Sequence, residues 1–120
     1  MTILYSIFGP FLVWPIEYFF PYPYIIEELF KCVVVWFGEK RALIYVYAGL
    51  AFAFTETVFY VLNINKSGSL GFMALRFISG SLLHSSTFFI IYLTNKKSKK
   101  LIPVGFLVSA TIHYFYNLFI

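Results

Sequence analysis

Five apolar stretches alternate with short polar breaks along the 120 residues of this chain. The first runs over about 3–17, is broken by Pro10 and Pro15, and closes at Glu17. PYPY (21–24) leads into a second over about 24–38, ended by Gly38. GEKR (38–41) separates that from a third over about 42–62, and NINKSGS (63–69) is a turn before a fourth over about 70–94. After NKKSKK (95–100), a fifth occupies about 101–120, with Pro103 in its first turn, where a helix tolerates it. In lipid such runs must be helical, because each backbone amide needs a partner within its own segment. A span takes roughly 20 apolar residues. The pattern therefore predicts an all-α polytopic transmembrane helix bundle of four or five spans, a single domain over 1–120. The first stretch is the exception, since its two prolines predict a kinked, re-entrant or interfacial element.

Composition sharpens this reading. The chain is 61% hydrophobic, 23% aromatic and 12% charged, with a mean hydropathy of +0.83. A soluble domain carries about a quarter charged residues, so the chain is read as an integral, multi-pass protein of the plasma membrane. The 16 Phe, 10 Tyr and 2 Trp read as lipid-facing bulk and interfacial belt. Nine Lys and Arg face five acidic residues, all of them Glu, for a net charge of +4. If the last four segments alternate, one side gathers Lys40, Arg41, Lys96, Lys97, Lys99 and Lys100, and the other only Lys66. That bias places the first group in the cytoplasm. These lysines mark topology and lipid headgroups, with no nucleic-acid partner implied. The lone Cys32 forms no internal disulfide, and no Cys/His zinc spacing exists. The N-terminal stretch lacks a basic leader and a small-residue cleavage site, so it reads as a retained hydrophobic segment.

Against this background Glu27, Glu28, Lys31, Glu56, Arg76, His84 and His113 stand out, because they lie inside apolar stretches. A charge at mid-membrane costs about 2.5–3.5 kcal/mol on insertion scales, and several such placements need a common reason. Lys31 is four residues from Glu27 and three from Glu28, so it can lie over either. Phe52, Glu56 and Tyr60 line one stripe of the third helix, as do Arg76, Gly80 and His84 on the fourth and Ser109, His113 and Asn117 on the fifth. Measured from the outer helix ends, Glu28, Glu56 and His113 lie about 6, 9 and 10 Å deep, with Asn117 shallower and His84 deeper, at about 14–21 Å.

Carboxylates, imidazoles and an amide around a water-accessible pocket are parts for hydrolysis. A carboxylate takes a proton from water, and two close carboxylates in low dielectric resist ionising together. An imidazole or amide donates to a developing oxyanion. The same set could instead bind a divalent metal such as zinc through Glu27, Glu56, His84 and His113. Ser/His/Asp catalysis is not supported, because the chain has no Asp.

EELFK (27–31) resembles the EExxK motif of the PrsW family of intramembrane proteases. AFAFTETVFY (51–60) resembles its FxxxE motif, through Phe52 and Glu56 with Tyr60 following. RFISGSLLH (76–84) is similar to the third motif through Arg76, Ser79 and His84, and HYFYN (113–117) to the closing HxxxN. The four occur in order over 21–120. The family is similar to the type II CAAX prenyl endopeptidases and their bacterial relatives, which carry EExxxR and FxxxH instead. The resemblance implies an endopeptidase acting on a membrane-anchored protein or peptide with a glutamate-activated water and no covalent acyl-enzyme; no cofactor is expected, with a divalent metal such as zinc the open alternative. It implies Glu27 or Glu28 as base, Glu56 and His84 holding the water, and His113 and Asn117 on the oxyanion. Lys31 and Arg76 would orient carboxylates. Three other classes stay open: a haem protein ligated by His84 and His113, a proton or ion pathway, and an inert immunity or scaffold relative.

Overall fold

Pro23 stands at the start of one helix and Pro103 near the start of another, positions where a missing N–H costs nothing. Ser69 caps a third, its hydroxyl accepting from the Phe72 N–H at 3.1 Å. A computed structural model describes residues 1–63 and 69–120. Its elements are α1 (Thr2–Tyr18), α2 (Pro23–Phe37), α3 (Ala42–Asn63), α4 (Leu70–Lys97), a short 3₁₀ turn (Lys99–Leu101) and α5 (Ile102–Phe119). There is no strand among the described residues. The turn predicted over 63–69, with Lys66, lies largely outside them.

Three helical segments are long and apolar enough to cross a membrane: Ala42–Leu62, Leu70–Lys97 and Lys99–Phe119. This is the make-up of a membrane protein. At 1.5 Å per residue, α1 with 17 residues and α2 with 15 reach about 26 and 23 Å, short of a hydrocarbon core of roughly 30 Å. The first stretch, expected to be kinked, re-entrant or interfacial, is one α-helix with Pro10 and Pro15 inside it. Neighbouring helices give such a segment packing that offsets the missing backbone bonds.

The helices alternate in direction and pack around α3 and α4. Where these two cross, Gly49 lies so close to Ser85 that a β-carbon there would overlap the Ser85 backbone. The Ser85 hydroxyl also donates to the Val46 carbonyl across this crossing, at 2.9 Å. Small residues of this kind let helix backbones approach in lipid, where no hydrophobic force pulls them together. Gly9 does the same for α1, fitting against the rings of Phe30 and Phe52. An apolar core of Val34, Val35, Tyr45, Ala48, Phe52, Phe88, Ile91 and Tyr92 fills the half of the bundle nearer the basic loops.

The polarity of α2 is inverted. Glu27, Glu28 and Lys31 are buried, while Leu29, Val33, Trp36 and Phe37 are exposed. A helix in water would show the opposite face. Apolar surroundings and a polar interior explain both.

Candidate active site

Lys31 organises the centre. Its side chain is fully buried, and its Nζ has three neighbours: Glu28 Oε1 at 2.7 Å, Thr87 Oγ1 at 2.7 Å and His84 Nδ1 at 2.9 Å. An ammonium has three protons and no acceptor, so three acceptors satisfy it. The network thereby assigns the His84 tautomer: Nδ1 accepts from Lys31 and the ring proton sits on Nε2. Nε2 in turn donates to Glu56 Oε2 at 2.6 Å. Thr87 accepts from Lys31 and donates to the His84 carbonyl at 3.2 Å, closing the loop.

Glu28 is the sequestered glutamate. It has no exposure, and its Oε1 accepts from both Lys31 and His113 Nδ1, the latter at 2.8 Å. Spacing alone let Lys31 lie over either glutamate; the structure pairs it with Glu28. Glu27 is 8% exposed, and its Oε2 is buried without a hydrogen-bond partner, 3.7 Å from His113 Nε2. Arg76 pairs with Glu56 at 3.6 Å and stands over the Tyr60 ring, 4.1 Å from its centroid. Phe52 packs against the His84 ring at a centroid distance of 4.7 Å.

A cavity of about 220 Å³ opens on these groups, lined by Glu27, Glu56, Arg76, Phe52 and Tyr60 on one side. On the other, α1 contributes Trp14 and Glu17. Glu17 lines the same cavity as Glu27, and its Oε1 is likewise buried without a hydrogen-bond partner. Glu17 was not among the residues singled out from sequence, where it only closes the first stretch. A signal existed: Glu17 and Glu27 flank the PYPY turn at similar distances, so an α1–α2 hairpin brings them level.

The structure therefore brings together Glu27, Glu28, Lys31, Phe52, Glu56, Arg76, His84 and His113. His84, expected deeper than the rest, shares their layer. Counted from the basic end, Glu56 is fourteen residues from Ala42 and His84 thirteen from Lys97, so the two are level. Counting from the other end misleads, because α4 has 28 residues and α3 only 22. Ser79 turns to α5, where its hydroxyl meets the Tyr116 hydroxyl at 2.9 Å. Asn117 is exposed and stands outside the layer. The buried stripe of α5 runs Ile102, Gly105, Ser109, His113, and continues through half-buried Tyr116. A step of three from His113 stays on that stripe, whereas the step of four to Asn117 leaves it.

No family model, curated protein or solved structure matches this chain. What the site can do rests on its own chemistry.

Glu27, Glu56 and His84 offer three ligand atoms within 4.8 Å of one another, the separation a metal ion would need. The hydrogen bonding is against it. With Lys31 donating to Nδ1, His84 turns an N–H toward Glu56, not a lone pair. An imidazole ligates through a deprotonated nitrogen, so this set as bonded does not fit a divalent cation.

Proposed function

We propose that this protein is a multi-pass protein of the plasma membrane and an endopeptidase of the PrsW type, hydrolysing a membrane-associated protein with a glutamate-activated water. The observation that carries the reading is the contrast between adjacent glutamates. Glu28 is engaged by Lys31 and His113, whereas Glu27 has an oxygen without a hydrogen-bond partner and lines a cavity large enough for water and a peptide carbonyl. Glu27 is accordingly the base. It takes a proton from water as the oxygen attacks the carbonyl carbon, and the developing charge on the carbonyl oxygen faces Arg76, the cation lining the cavity. The proton then passes from Glu27 to the amide nitrogen as the C–N bond breaks. Glu56, held by His84 and Arg76, fixes the water from the far side. Asn117, which the resemblance assigns to the oxyanion, carries no step in this scheme.

The test is cleavage of membrane-anchored peptides by the purified protein in liposomes, with products read by mass spectrometry. Glu27→Gln should lower the rate by about 10²–10⁴-fold, while Asn117→Ala and a chelator leave it unchanged. Parental activity in Glu27→Gln would sink the reading.

A further inference from the structure

Four carboxyls meet in this layer, Glu17, Glu27, Glu28 and Glu56, and the permanent cations among them are Lys31 and Arg76. Each cation has its own carboxylate: Lys31 pairs with Glu28 at 2.7 Å and Arg76 with Glu56 at 3.6 Å. His84 is neutral by its tautomer, and His113 gives its Nδ1 proton to Glu28. Glu17 and Glu27 line one cavity with neither Lys31 nor Arg76 paired to them, the contact nearest to a cation being His113 Nε2 at 3.7 Å from Glu27. Their buried oxygens, Glu17 Oε1 and Glu27 Oε2, have no conventional partner, and Glu27 is more than nine-tenths buried. Two carboxyls so placed share one proton or hold one cation.

The walls say which cation. Trp14 and Phe59 stack at 6.1 Å with planes only 16° apart, and both line the cavity. Aromatic faces beside carboxylates attract organic ammonium groups. A bare metal ion would want lone pairs in place of these faces, and the His84 proton already withholds one. The seat is also fixed in place, since Gly9 anchors α1 against Phe30 and Phe52 and Phe11 packs on Phe59 at 4.2 Å.

We propose that the cavity which α1 closes against α2, α3 and α4 binds a primary ammonium group of its ligand, seated between Glu17 and Glu27 with Trp14 and Phe59 as walls. On the hydrolase reading, on which only this step rests, the ammonium belongs to the substrate, as a lysine side chain or a free amino terminus. It supplies a cation to the Glu17 and Glu27 pair, which neither Arg76 nor Lys31 neutralises, and so keeps the Glu27 carboxylate ionised and ready to accept a proton. Glu17 is then a binding residue contributed by α1.

The experiment reads binding without turnover, on the full chain in detergent. n-Butylammonium should bind and raise the melting temperature, whereas n-butanol of the same shape should not. Glu17→Gln should weaken n-butylammonium by about tenfold or more, as expected when a charged hydrogen-bond partner is lost. Glu39→Gln, at the opposite end of the bundle, should bind as the parent does. Should Glu17→Gln fail to fold, Trp14→Leu replaces it, and it should weaken n-butylammonium by removing one aromatic wall. Two peptides identify the bearer, one with a free amino terminus and no lysine, the other acetylated with one lysine. Displacement of the probe by either supports the site and names the source. Equal effects of amine and alcohol, parental affinity in Glu17→Gln or in the Trp14→Leu that replaces it, or displacement by neither peptide would overturn it. Zinc that binds through Glu17 and Glu27 and resists n-butylammonium would also overturn it. Binding without cleavage would remove the hydrolase reading alone, and cleavage without binding the ammonium site alone.

Discussion

Toward the basic end of the bundle, Tyr45 stacks on Tyr92 at 4.8 Å and packs with Phe88, Ile91 and Val35 in a core free of charge. One or two turns further along, the same helices bury Lys31, Glu28 and His84 in a chain of hydrogen bonds. The first region is held mainly by packing, with hydrogen bonds from Tyr45 to the Glu39 carbonyl and from Ser85 to the Val46 carbonyl at its edges, and it buries no ion pair. The second satisfies charges that would otherwise sit unpaired in low dielectric. The comparison teaches where each property resides. Close packing fixes the helices, and the polar layer uses that rigidity to hold Glu17 and Glu27 without a paired permanent cation beside Glu28 and Glu56, which have one each.

The strongest way to break this contrast is Lys31→Met. It leaves Glu28 buried and uncompensated and takes a donor from His84, so stability should fall by about 3–5 kcal/mol, read by denaturant titration in micelles. Adding Glu28→Gln should recover most of that loss, because the uncompensated charge is then gone. No recovery in the double variant would mean that Lys31 acts through shape and not charge. In the packed region, Gly49→Val drives a side chain into the Ser85 backbone and should cost about 1–3 kcal/mol. Were Gly49→Val harmless, α3 and α4 would not need their close approach.

A smaller effect follows from Tyr45→Phe, which removes the hydroxyl that donates to the Glu39 carbonyl at 2.6 Å. It should lower stability by about 1 kcal/mol and leave the polar layer untouched. The smallest concerns Glu39 itself, outside the membrane-spanning segments. Its carboxyl is held below the ordinary value of 4.5, first by the Thr2 hydrogen bond and then by the amino-terminal ammonium, which lies 3.2 Å away. A carboxyl lowered in the folded state stabilises it above the unfolded value. That contribution is lost as pH falls through the folded one. The melting temperature should dip slightly on acidification, and the dip should shrink in Glu39→Gln.

Helix positions were readable from the sequence, since apolar stretches at about 3–17, 24–38, 42–62, 70–94 and 101–120 match five helices within a few residues. So was most of the membership of the polar layer. Insertion cost is a local property, and a buried charge in an apolar run announces itself wherever its helix goes. Partnership was not readable. Lys31 is within reach of Glu27 by a step of four and of Glu28 by a step of three, and only the rotation of α2 against α4 chose Glu28. The same ambiguity on α5 hid that Tyr116, not Asn117, continues the buried stripe.

The sequence by itself determined an apolar helical chain with an expensive set of charged residues inside it, because period and hydropathy are written residue by residue. The tertiary structure decided the rest: which glutamate is bound and which free, the level of His84, and the arrival of Glu17 from α1. Those depend on how far one helix overhangs another and how each is turned about its axis. Both are set by contacts between segments such as Gly49 with Ser85 and Gly9 with Phe30, and no single segment contains them.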